Sequence, residues 1–190
     1  LPFLFVQLPG FDADWLEADI WPELREAQLL TWQSVPHTAM VASIDVGDPQ
    51  ELHAPRKREV GERLALAALA TAYDRPVECS GPVFRGLQVE GTRLRLSFDH
   101  AADGLVCRGE TLTGFAVAGA DRRFAPAQAA VDGQTVVVWA DAVPAPVAVR
   151  YGWANAPTVN LFSAGGLPAS PFRSDAWPGI TDGRQEPEAY

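Results

Sequence analysis

Positive charge is scarce in this sequence. Lys and Arg number 15 against 24 Asp and Glu, for a net charge of −9, and the one basic cluster, Arg56-Lys57-Arg58, is too short to offset that. Nucleic-acid and anionic-membrane surfaces need clustered cations, so neither partner is expected. Cysteine is nearly absent. Cys79 and Cys107 are the only two and lack close metal-ligand spacing, so neither a metal site nor a disulfide framework is implied. No apolar run is long enough to span a bilayer. No serine lies in Gly-x-Ser-x-Gly, and Ser43 falls inside a strand-like stretch, so a nucleophile elbow is missing from the pattern. No signal-peptide pattern precedes Leu1 either, and the chain enters the strand-like run Phe3 to Leu8 at once. A buried-type strand with nothing before it reads as a fragment or a processed chain.

What is present is an ordinary soluble composition, 47% hydrophobic and 21% charged over 190 residues, enough for one large or two small domains. The first part reads strand, helix, strand, helix. Phe3 to Leu8 and Thr38 to Ile44 are continuous apolar runs, as in parallel strands covered on both faces. Between them, Pro22 to Gln33 places Leu24, Ala27, Gln28, Leu30 and Thr31 at helical spacing. After them, Pro55 suits a helix first turn, followed by Val60, Leu64, Ala67, Ala68 and Thr71. From about Cys79 the pattern changes: Val83-Phe84, Leu87-Val89 and Leu94-Phe98 alternate, and Phe115-Ala118, Thr135-Trp139 and Val147-Tyr151 are further strand candidates, broken by turns such as Asp132-Gly133. These read as a small antiparallel sandwich. Asn155 to Arg173 looks irregular, and the residues beyond Ser174 look like a solvated tail.

Chemistry points to His53. In open parallel sheets, ligands bind beyond the carboxyl ends of the strands, and Asp45 to His53 follows the second strand. A helix N-terminus just after the imidazole would disfavour its charged form and keep it able to accept a proton. A carboxylate on its other ring nitrogen would fix the tautomer, and Asp48, Glu51 and Asp45 compete for that place. The plainer reading makes His53 a helix-start residue and Gly47-Asp48-Pro49 a turn. His37 and His100 read as loop residues. Among six tryptophans, Trp139, Trp153 and Trp177 could stack on a sugar, although core packing is the commoner use.

Several blocks, in order, carry a resemblance. They are Phe3 to Leu8, Trp21 to Gln28, Ile44-Asp45-Val46-Gly47-Asp48 leading to His53, and Val60-Gly61-Glu62-Arg63-Leu64-Ala65. Later come Ser80-Gly81-Pro82, Val149 to Ala154 and Gly166 to Arg173. With these the chain resembles the C-terminal half of the sialate O-acetylesterase family, a carbohydrate-deacetylating branch of the SGNH hydrolases. The resemblance implies an α/β fold over residues 1–76, the C-terminal part of a flavodoxin-like three-layer parallel-sheet domain. A small antiparallel β-sandwich over 77–173 and a polar tail over 174–190 follow.

The implied activity is acetyl-ester hydrolysis on sugars by a Ser-His-Asp relay without a cofactor. His53 matches the family's base. The nucleophilic Ser and oxyanion donors would come from an N-terminal chain or segment of the same protein. Many SGNH enzymes place the acid three residues before the His, where this chain has Gln50, so Asp48 is favoured as the partner. Acetylated carbohydrate is the expected substrate, and the expected location is periplasmic or extracellular. The alternatives are acetylated xylan or xyloglucan in place of sialic acid, whose carboxylate would want Arg150 or Arg173, and a noncatalytic carbohydrate-binding or scaffold piece.

Overall fold

The computed structural model describes residues 1–12 and 18–183. Strand β1 (Phe3–Val6) and strand β2 (Thr38–Val41) pair in parallel, with Phe3 opposite Thr38 and Val6 opposite Val41. Helix α1 (Trp21–Ser34) connects them and α2 (Lys57–Ala72) follows. Successive strand side chains point to opposite faces. Phe5 and Met40 therefore pack with Leu29 and Trp32 of α1, while Leu4, Val6, Ala39 and Val41 pack with Leu64 and Ala67 of α2. One helix on each face explains why the strand runs are apolar without alternation.

Helix α1 turns a different side inward from the one its leucines suggest. Its buried residues are Trp21, Pro22, Arg25 and Leu29, whereas Leu24 and Leu30 are 52% and 55% exposed. A cation at the centre of the inward stripe hides the amphipathic pattern, because its partners are backbone carbonyls. The α2 helix starts two residues beyond Pro55, so Ala54-Pro55-Arg56 lies in the approach to it.

Among the described residues that follow, ten strands form: β3 (Val83–Glu90), β4 (Arg93–Asp99), β5 (Leu105–Cys107), β6 (Phe115–Ala118), β7 (Phe124–Pro126), β8 (Gln128–Asp132), β9 (Thr135–Trp139), β10 (Ala148–Tyr151), β11 (Leu161–Ser163) and β12 (Phe172–Arg173). They form antiparallel sheets in the orders β3-β4-β9-β8 and β12-β10-β6-β7, plus the pair β11-β5. Leu94, Leu96, Phe98, Val136 and Val138 of the first sheet share one core with Phe115, Val117, Val149, Tyr151 and Phe172 of the second. Phe172 stacks on Phe84 at 4.3 Å and 3°. The architecture is thus mixed α/β with several antiparallel sheets. Gly133 takes the left-handed φ of 62° in the β8–β9 turn, the conformation an Asp-Gly turn needs.

Two sequence expectations need correction. The stretch from Asn155 to Arg173 is not wholly irregular, since it supplies β11 and β12. Nor do the residues after Ser174 behave as a solvated tail where they are described. The Ser174 N–H bonds Val149 O at 3.0 Å, the Asp175 side chain is 2% exposed against Arg150, and the Ile180 and Thr181 N–H groups bond the Glu23 carboxylate at 2.6 and 3.1 Å. The segment is a strap held by buried charge and backbone bonds, features that a polar composition conceals. The end of the expected tail, 184–190, lies outside the described residues. Cys79 and Cys107 are both free thiols, and no helix among the described residues is long and apolar enough to cross a membrane.

Candidate active site

The β2–α2 connection, residues 42–56, rims the carboxyl end of the parallel pair. It is anchored first. Ser43 is fully buried and its hydroxyl donates to Gln7 O at 2.6 Å, so it is a structural residue. Asp45 is committed to Arg63 of α2 through two bonds of 2.7 Å, and Arg63 also donates to Ala42 O at 2.7 Å. With both side chains under a tenth exposed (9% and 8%), this bidentate pair fixes the loop to the helix. Gly47 lies so close to Gly10 that a Cβ there would sit 2.5 Å from the Gly10 nitrogen. Between these loops and residues 156–159 opens a cleft of ≈ 260 Å³ lined by Gly10, Ile44, Asp45, Gly47 and Pro49.

The next five residues form a turn. Asp48 Oδ1 accepts the Gln50 N–H at 2.9 Å and its carbonyl accepts the Glu51 N–H at 3.2 Å. Glu51 then folds back on His53, accepting the His53 N–H at 2.9 Å and lying 3.3 Å from Nδ1. These two bonds, the backbone one foremost, hold the Glu51 carboxyl below the usual carboxylate range. Of the three acids weighed from sequence, the structure brings Glu51 to the imidazole, gives Asp48 to the turn and gives Asp45 to Arg63. A proton on Nδ1 directed at Glu51 leaves Nε2 as the ring's acceptor. The His53 side chain is 81% exposed, and it precedes Lys57, where α2 begins, by four positions. Among the described residues, no serine hydroxyl is bonded to it.

The wall of the cleft depends on a residue that the sequence reading passed over. Arg25 is fully buried, and its guanidinium donates to the carbonyls of Leu8 and Pro9 at 3.2 Å, of Ala154 at 2.8 Å, of Gly152 at 3.5 Å and of Asn155. Burial pushes its pKa down to about 10, with the charge of Asp19 opposing. Asn155 continues the lacing: its Oδ1 accepts the Trp21 N–H at 3.2 Å and its own N–H donates to Asp19 Oδ1 at 2.8 Å. The loop after β1 and the loop after β10 are therefore held together by one cation. Five carbonyl acceptors leave no trace in a sequence, and only an Arg amid helix-face positions could have drawn attention.

The other candidates are placed as follows. His100 is 2.8 Å from Glu78 and stacks near Trp32, while His37 has a φ of 59° between α1 and β2. Arg93 covers Trp139, Arg122 approaches Trp177, and Trp153 has both Arg150 and Arg173 within 5.4 Å of its ring. Arg150 is paired with Asp175 and Arg173 with Glu26, each at 2.8 Å. Among the described residues, no group of three or more His, Cys, Asp or Glu is arranged to hold a metal ion.

A scan against protein-family models finds no match, and none of the curated proteins matches the chain. Among solved structures, the chain superposes on a carbohydrate acetylesterase of Xanthomonas citri with a TM-score of 0.87 and 47% sequence identity, over 93% of this chain. This chain is related to a carbohydrate acetylesterase. It spans 42% of the length of that structure's chain.

Proposed function

We propose that this chain is the histidine-bearing part of a carbohydrate O-acetylesterase, the C-terminal portion of an SGNH-type hydrolase. His53 Nε2 takes the proton of a serine hydroxyl supplied by another segment of the same protein. The serine oxygen attacks the acetyl carbonyl carbon. The tetrahedral adduct collapses as the C–O bond to the sugar breaks, and His53 returns its proton to the departing sugar oxygen. Water, deprotonated by the same nitrogen, then releases acetate from the serine ester. Glu51 serves as the acid that orients the ring, in place of the favoured Asp48, whose carboxylate holds the turn presenting Glu51.

The single observation that carries this reading is the Glu51–His53 pair on the rim of the parallel sheet, in a chain 47% identical to an acetylesterase. The test uses the complete protein and 4-nitrophenyl acetate. His53→Ala should abolish turnover with folding retained, and Glu51→Gln should lower kcat about 10- to 100-fold. Unchanged turnover in His53→Ala would leave the noncatalytic carbohydrate-binding role instead.

One observation favours a neutral acetylated polysaccharide over sialic acid. A sialate carboxylate calls for an unpaired Arg, and both candidates, Arg150 and Arg173, already face carboxylates. Acetylated xylan or xyloglucan should then outperform acetylated sialic acid as substrate, in a periplasmic or extracellular setting.

A further inference from the structure

On the sandwich side of residues 156–159 lies a second cleft, of ≈ 310 Å³, which shares Pro157 and Thr158 with the first. We propose that this second cleft, lined by Phe124, Pro126, Arg150, Trp153 and Thr158, is a pyranose-binding subsite. It holds the neutral sugar next to the one being deacetylated. The proposal rests on the acetylesterase reading for its direction, and on the following geometry for its chemistry.

The lining is mostly ring and aliphatic carbon, the surface on which the C–H face of a pyranose stacks. It is rigid. Phe124 and Pro126 belong to β7, Arg150 to β10, and the Arg150 guanidinium lies 4.2 Å from the Phe124 ring and 5.1 Å from that of Trp153. The guanidinium is itself fixed, because Nε and Nη2 donate to Asp175 at 2.9 and 2.8 Å. Its Nη1 makes no hydrogen bond among the described residues, and the Thr158 hydroxyl makes none either, so each can serve a sugar hydroxyl. Charge decides the class of ligand. The Arg150–Asp175 pairing neutralises the only ionised side chain in the lining, so an acidic sugar would find no free cation. Rings held in place before the ligand arrives cost little ordering on binding.

The test is a tryptophan-fluorescence titration of the complete protein with xylohexaose and cellohexaose, alongside kinetics on an acetylated xylo-oligosaccharide and on 4-nitrophenyl acetate. Trp153→Ala should weaken hexaose binding about tenfold, the order expected for one lost aromatic contact. It should also lower kcat/KM on the oligosaccharide about tenfold more than on 4-nitrophenyl acetate, and Trp153→Phe should restore most of both. Thr158→Val, at an exposed position, should give a smaller loss of the same kind without endangering the fold. Equal losses on the two substrates, wild-type hexaose affinity in Trp153→Ala, or preference for free sialic acid over the hexaoses would each overturn the subsite. A protein that binds hexaose through Trp153 but hydrolyses no acetyl ester would sink the acetylesterase reading alone.

Discussion

Replacing Arg25 by Met should unlace the cleft, and the size of the effect follows from the contacts. The guanidinium makes bonds of 3.2 Å or shorter to four carbonyls, those of Leu8, Pro9, Ala154 and Asn155. A hydrogen bond to a charged group contributes about 1.5 kcal/mol at the low end, so the four amount to roughly 6 kcal/mol. Burying the charge opposes them. The fall of its pKa from the ordinary arginine range to about 10 corresponds to about 3 kcal/mol. The difference leaves a net destabilisation of about 3 kcal/mol, at the lower edge of what removing one member of a buried charged cluster costs. Arg25→Lys keeps the charge but not the planar fork that reaches both loops, and should lose most of the same amount. Urea denaturation followed by tryptophan fluorescence measures it as a lowered midpoint with an unchanged slope. A Met variant within about 0.5 kcal/mol of wild type would refute the view that this cation holds the two loops together.

Two further outcomes follow. Gly47→Ala should part the Gly10 and Gly47 loops, because the new methyl meets backbone and not a movable side chain, at about 1–3 kcal/mol by denaturation and with a widened cleft. Acid should release the strap before the sandwich melts. Burial raises the Glu23 and Asp175 carboxyls, but bonds from Thr181 and Ile180 in one case and from Arg150 in the other outweigh it, and both end below their usual values. Carboxyls lowered in the folded state stabilise it above their unfolded pKa and stop doing so as pH falls through the folded values. Amide exchange at 175–181 should therefore accelerate below about pH 4, and a strap that stays protected there would contradict these assignments.

The parts most legible in the sequence were those written in periodicity. Continuous apolar runs announced β1 and β2, and alternation announced β4, because burial on both faces or on one leaves a distinct pattern. Short strands leave almost none. In β8, Gln-Ala-Ala-Val-Asp alternates between intermediate and exposed positions, and two-residue β12 enters the core by a single phenylalanine. At the candidate site, the position of His53 beyond the carboxyl end of β2 was legible. Its neighbour was not, since whether Asp48 or Glu51 meets the ring is settled by a backbone turn. Arg25 was the least legible, since its meaning comes from carbonyls 127–130 positions away in sequence.

The strap also has a consequence for how the molecule is made. Glu23 receives its partners from residues 157 and 158 positions later in the chain, so during vectorial synthesis that contact cannot close until those residues have emerged. Such distant pairings are the slow ones in folding, because a long loop must be drawn shut before any reward arrives. Until then α1 is bound only through its nearer neighbours, and a ribosome stalled before the strap emerges would hold this helix with one of its fastenings not yet made.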